Sequence, residues 1–546
     1  MLLLLQNFSG IAPRFEPEML AAEAAQQAQN VFLERMSLRP IEDARTLAVT
    51  LAKAGTIQSI YRFGQGLTDE AQHWFHWTSD VDVVRGPIPT DTTERTYFTG
   101  DGEPKYTDAT IGPGAGNMPA ASFTLGIPRP VSPLAAVVSG AGGGTQEYRF
   151  YVYTYVSNYN GYVQEGKPSA PTASIAVEDG QSVDLSGFIA FPSGYNLTGV
   201  RVYCAGADGV FRMVADHDGA VPSSITDSNS PDERAELPLL DSETYDMPPA
   251  DLACLSDMGN GVLVGASADR SIRFCEPYLP HAWPTTYELL TANKWVGIGT
   301  FKQTTVVLTT DFPELIYGVD PSSMAQEPLR DFHQSCVSKA SIASGDNGVF
   351  YASPNGLCRV GADGVAVLTD AIFTQEDWQA LNPESIRGEF IDGKYVGFYD
   401  NGTKGGFAFD PSDQRAPFVF LDSWGSATFV DHKREALYYV DQSRALKRWR
   451  GAENKKTYLW RSKVFESDTY FRFKYCEMRV SGDGAAYVKI IGDGRTIAMF
   501  SAFGDGVHIK GKTLPRCRRI EVEITGNAAI RQVRLATSRA ELNRGQ

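Results

Sequence analysis

The stretch Gly506-Val-His-Ile-Lys-Gly511-Lys512-Thr513 satisfies GxxxxGK[ST], the pattern of a phosphate-cradling loop. That chemistry needs a strand before the loop and a helix after it, so that helical N–H groups point at phosphate. Here Pro515 follows two residues past Thr513, and Ile520-Glu-Val-Glu-Ile524 alternates as a strand. The segment is therefore read as a Gly-rich hairpin loop. His73 and His76 lie three apart, near Glu70, Trp74 and Trp77. Zinc wants three or four ligands at known spacings. The other histidines (His217, His281, His333, His432, His508) are scattered, so this pair reads as part of an amphipathic strand or loop. There is no GxSxG and no papain-like cysteine signature. A glycosidase pair needs two carboxyls roughly 5–10 Å apart in a cleft, and acids near turns cannot be paired from spacing alone. The reading therefore assigns no catalytic, cofactor-binding or metal residue, and no cofactor.

The cysteines are Cys204, Cys254, Cys275, Cys336, Cys358, Cys476 and Cys517, an odd and scattered set without CxxC. They read as buried reduced thiols from a chain that folds in a reducing cytosol. The opening Met1-Leu2-Leu3-Leu4-Leu5 has no cationic n-region and ends at Gln6-Asn7, so it fails as a signal peptide. No stretch reaches about 18 apolar residues, so no membrane-spanning segment is expected. The 50 Lys+Arg against 65 Asp+Glu give a net charge of −15. That balance argues against wrapping duplex DNA or docking on anionic membrane. It suits the lining of a passage through which DNA slides without sticking.

The elements that would position any such residues are mostly strands. Tyr148, Phe150, Val152, Thr154 and Val156 alternate with Arg149, Tyr151, Tyr153 and Tyr155, the period of a long strand. Aromatics on both of its faces, with Tyr159 and Tyr162 beyond, fit either an internal core or a face covered by a neighbouring domain or subunit. Asp-Gly at 208, 363, 392, 483 and 493, and Asn-Gly at 260, 347, 355 and 401, supply hairpin turns. Strand pairs are expected at 349–351 with 357–360, at 395–398 with 406–409, and at 436–440 with 446–449, a blade-like period of about 45 residues. One helix is expected near the start. Glu16-Pro17-Glu18 would form its first turn, with Leu20, Ala21, Ala24, Ala25 and Ala28 at helical spacing.

These patterns predict a mainly β, multi-domain protein. A β-propeller-like core carries an inserted immunoglobulin- or fibronectin-like sandwich, a C-terminal β-domain and one short N-terminal helix. The expected divisions are 1–138, an N-terminal β region with the helix; 139–245, the sandwich, opened by the flexible loop Ser139–Gly144; 246–465, the propeller; and 466–546, the last β-domain.

Several stretches resemble tail proteins of short-tailed bacteriophages. They are Phe8-Ser-Gly-Ile-Ala-Pro13 with Ala28-Gln-Asn30, Arg273 to Pro284, Gly348 to Leu357 with Leu368 to Trp378, and Gln532 to Leu542. The resemblance touches most of the chain outside 140–240. It implies a tail nozzle, or tail tubular, protein: a structural virion subunit in a homo-oligomeric ring, a hexamer in that family. The ring would sit below portal and adaptor, close the tail channel before infection and conduct genomic DNA during ejection without binding it tightly. Tail fibres or a needle would be further partners. The location implied is the virion tail, after folding in the host bacterial cytoplasm. The family lends no catalytic residues. The sandwich has no counterpart in its simplest members, and docking of fibres is one role open to it. The alternatives are a virion-associated polysaccharide-binding or polysaccharide-degrading β-protein, and a carbohydrate- or protein-binding propeller of another kind.

Overall fold

A computed structural model describes residues 2–543 except 65, 160, 269, 414 and 416. The molecule is mainly β. Its described α-helices are single short turns at Pro231–Ala235, Gln375–Gln379 and Arg539–Asn543, so strands and their turns must carry any function. The chain forms two compact units from discontinuous segments: residues 1–78, 306–314 and 328–546, and residues 79–305 and 315–327. The boundaries 138/139 and 245/246 thus both fall inside the second unit, and 465/466 inside the first.

In the first unit, antiparallel meanders follow one another like propeller blades. Ala343–Gly345, Gly348–Ser353, Gly356–Gly361 and Gly364–Val367 form one. Arg387–Ile391, Lys394–Asp400, Lys404–Phe409 and Phe418–Leu421 form the next. Thr428–Asp431, Ala436–Val440 and Leu446–Arg448 form a third. First strands start at 343, 387 and 428, which makes the period 44 and then 41 residues. They lie side by side with one another and with Ser59–Arg62, the arrangement of inner strands in a propeller. The turn chemistry is as the dipeptides demand. Asp392 and Gly393 have φ of 50° and 72°, both positive as a type I′ hairpin requires. Gly348 is obligatory for another reason: a Cβ there would stand 2.2 Å from the Val360 carbonyl oxygen.

The third meander gains its fourth strand, Arg45–Thr46, from the far end of the chain. The helix expected from Glu16 to Ala28 is absent. Residues 16–24 are turns, and Ala25–Gln29 is a strand that pairs antiparallel with Tyr458–Ser462 and touches Phe418–Leu421 through Gln29 and Phe420. Long-range backbone pairing overrides the local helical preference. The small side chains of Ala25 and Ala28 let this strand lie flat in a core with Phe8, Trp460 and Phe418. Through it the sheet continues from the second meander into Tyr458–Ser462, Cys517–Gly526, Ala485–Gly492 and Arg495–Phe503. A second sheet, Leu2–Leu5, Ala529–Ala536, Tyr475–Ser481 and Gly506–Gly511, shares that core.

The second unit contains the sandwich. One sheet is Ala135–Ser139, Ser182–Ser186 and Ser224–Asp227; the other is Tyr162–Glu165, Gln146–Tyr159, Gly199–Ala205 and Arg212–Asp218. Its first strand precedes the Gly140–Gly144 loop, which connects Ala135–Ser139 to Gln146–Tyr159 within the sandwich. Tyr151, Tyr153, Tyr155, Val183, Leu185, Val200 and Val202 fill the space between sheets. Two meanders accompany it: Asp82–Arg85 through Phe123–Thr124, and Ala253–Gly259 through Glu288–Leu290.

Candidate functional site

The adjoining first strands of the meanders bring together groups that are distant in sequence. Glu389 sits mid-strand in Arg387–Ile391, and Thr428 opens the first strand of the next meander. Thr428 Oγ1 donates to Glu389 Oε1 at 2.8 Å. Some of the Glu389 surface is accessible, yet protein crowds the carboxyl, and burial pushes its pKa up to about 7 against the pull of Thr428 and Arg387. At the other end of the Thr428 strand, Asp431 Oδ2 receives Arg434 Nη1 at 2.8 Å and lies 3.5 Å from the buried Arg62 Nη1. Arg62 also donates through Nη2 to the carbonyls of Leu67 (3.2 Å) and Asp69 (2.8 Å). That network ties the strand Ser59–Arg62 to its neighbour. At the turns below, Asp346, Asp392, His432 and Glu435 rim a depression of about 310 Å³. Among the described residues, no three His, Cys, Asp or Glu side chains converge to hold a metal.

His76 and the Gly506–Gly511 segment, both singled out from sequence, lie in different sheets. His76 is fully buried; its Nε2 accepts the Lys53 backbone N–H at 3.2 Å, so the proton sits on Nδ1, which faces the Trp74 carbonyl at 3.1 Å. Burial lowers its pKa, and both ring nitrogens are engaged with backbone. Glu70 turns to Arg45 and Arg448. Gly506–Gly511 is itself a strand, paired with Tyr475–Ser481, and the Lys512 N–H donates to the Lys474 carbonyl at 2.8 Å. The chain then runs into Cys517–Gly526, so no helix stands where a phosphate would need one. The segment is an edge strand where a hairpin loop was expected.

The tyrosine strand is internal. Tyr151 donates to Asp227 Oδ2 at 2.8 Å, and Tyr155 to the Ile189 carbonyl at 3.0 Å. Its other face, Val152, Thr154 and Val156, is buried as well, with Thr154 Oγ1 donating to Glu165 at 2.6 Å. Arg95, which sequence reasoning missed, is buried against Asp91 (2.8 Å), with its guanidinium over the rings of Tyr159 and Tyr162 at 4.9 and 5.2 Å. All seven cysteines are buried free thiols. Burial pushes the Cys275 and Cys336 pKa values up to about 12. Neither Arg95 nor Glu389 carries a local signal: Glu389 is one polar residue inside the strand Arg387–Ile391, and Arg95 is one of several polar residues in the turn before the strand Thr96–Thr99.

No family model matches the chain, and no curated protein does. Solved structures that align with it include BamB from Moraxella catarrhalis, 9% identical over 76% of this chain and 98% of that one, with a TM-score of 0.31. AztD from Citrobacter koseri is 11% identical over 67% and 99%, with a TM-score of 0.26. An exo-β-1,3-galactanase from Phanerochaete chrysosporium is 9% identical over 91% and 100%, with a TM-score of 0.18. Likeness at this level carries no argument about what this chain does. No described helix is long and apolar enough to cross a membrane.

Proposed function

We propose that this chain is a structural subunit of a ring-shaped tail nozzle in a short-tailed bacteriophage, closing the tail channel and conducting DNA during ejection. One observation carries the reading. Apart from Arg273 to Pro284, whose Cys275 and Trp283 pack in the second unit, the stretches that bear the family resemblance are far apart in sequence yet meet in one core. Phe8 and Ile11, Phe350 and Leu357, Ile372 and Trp378, and Val533 and Leu535 all belong to it. Arg14 Nη1 reaches the Asp370 carbonyl at 2.7 Å, and Trp378 Nε1 the Ser353 carbonyl at 2.9 Å. Residues that resemble a family in concert are then residues that pack in concert. The partners in this reading are further copies of the chain, portal and adaptor proteins, and fibres or a needle.

Mass photometry and electron microscopy of the purified chain, alone and with portal and adaptor, test the proposal. The expected result is a closed ring, six-fold in this reading, that shows no appreciable duplex-DNA binding at physiological salt. Monomers that ignore both partners, or submicromolar DNA affinity, would overturn it. Glu389 favours the alternative of a polysaccharide-degrading protein, because a general acid wants a pKa near 7. Release of reducing sugar from host capsule, abolished by Glu389→Gln, would establish that alternative.

A further inference from the structure

The strands Arg495–Phe503 and Gly506–Gly511 each end a sheet, and only Gly504 and Asp505 separate them. Alternate side chains along this corner are apolar yet open to solvent: Met499 is 61% exposed, Phe503 64%, Val507 56% and Ile509 41%. Two adjacent free edges bearing a run of exposed apolar side chains are an aggregation liability unless something covers them. The corner is also charged. Lys510, Lys512, Arg516 and Arg518 are exposed beside it. Residues 466–546 carry 14 Lys+Arg against 9 Asp+Glu, a net of +5 in a chain of net −15. The acid surplus lies elsewhere: residues 79–305 with 315–327 hold 29 Asp+Glu against 13 Lys+Arg, a net of −16.

We propose that this corner is the surface by which one copy of the chain docks on the acidic second unit of the next copy. The inference rests on the ring reading and names the face that builds the ring. Like charge opposes corner-to-corner pairing, so an isologous dimer through this edge is disfavoured. A basic, apolar edge meeting an acidic surface on an identical molecule is a head-to-tail contact, and head-to-tail contacts close into rings when the rotation per copy allows. The charges steer and select; the apolar side chains supply the buried area.

Carbodiimide cross-linking, which joins Lys directly to Asp or Glu, tests this on assembled wild-type protein. An equal mixture of light and heavy isotope-labelled chains distinguishes links between copies. Expected are links from Lys510 or Lys512 of one copy to acids within 79–305 of another. Expected too is at least tenfold weaker assembly of the exposed-site variant Lys510→Glu/Lys512→Glu/Arg516→Glu, and of Phe503→Ser, each with an unchanged circular-dichroism melt. Rings that form without such links, or that survive both variants, overturn the docking face and leave the ring reading standing. A wild type that stays monomeric with portal and adaptor present overturns both.

Discussion

Arg45 and Arg448 stand directly opposite each other on neighbouring antiparallel strands, and the Glu70 carboxylate holds both. Like charges in that position repel. Glu70 Oε1 lies 2.5 Å from Arg448 Nη1, its other oxygen pairs with Arg45, and its backbone carbonyl accepts Trp74 Nε1 at 2.7 Å. The N-terminal strand Arg45–Thr46 therefore completes its blade through a three-residue loop of charge. Glu70→Gln leaves two cations face to face. The expected cost is about 1–3 kcal/mol, smaller at high salt because screening weakens the repulsion. Denaturant unfolding at two ionic strengths measures it. A salt-independent loss would mean that the carboxylate acts by packing alone.

Glu389 makes stability depend on pH in a defined direction. Burial raises its folded pKa to about 7, above the 4.5 ordinary for a glutamate, so the native state holds the proton more tightly than the unfolded chain. Stability is full below about pH 4.5, declines as pH rises through 7, and is level beyond. Glu389→Gln keeps an oxygen for Thr428 and removes the ionisation. The variant is expected to gain about 2–3 kcal/mol over wild type at pH 8 and almost nothing at pH 4. A difference that is flat between those pH values would show that Glu389 does not titrate there.

Trp460, in the strand Tyr458–Ser462, anchors the N-terminal segment around Phe8 and Ser9. It is fully buried, donates through Nε1 to the Ser9 carbonyl at 3.0 Å, and meets the Phe8 ring edge-on at 4.9 Å between centroids. Trp460→Ala is expected to cost about 3–5 kcal/mol. It should also expose residues 2–29 to limited proteolysis before the rest of the first unit. Uniform protease sensitivity would contradict that local anchoring role.

The thiols should be silent. All seven are buried, and burial raises those for which a shift is resolved, to about 11 at Cys204 and about 12 at Cys476. An aromatic disulfide reagent is expected to modify fewer than one thiol per native chain at pH 7.5, and all seven in denaturant. Rapid labelling of the native protein would point to an opening that uncovers one of them.

Much of the strand pattern was legible because its causes are local. Asp392-Gly393 and Asn260-Gly261 each place two residues at positive φ, so the hairpins they close could be read directly. The alternation around Tyr151 marked a strand, and the proline after Thr513 excluded a phosphate loop. The helix expected at 16–28 failed because Ala25 and Ala28 serve a sheet whose other strands lie some four hundred residues away. The Gly140–Gly144 loop looked like a linker because flexibility reads the same between domains and between sheets.

That the chain is β and where its tight turns fall could be read from the residues alone, since each follows from a few neighbours. That residues 1–78 fold with the C-terminal half, that Arg45–Thr46 completes a blade, and that Glu389 meets Thr428 became visible in the folded chain and nowhere earlier. Those outcomes depend on which strand edges find each other. Pairing energy belongs to the two strands together, and neither strand's own residues record its partner.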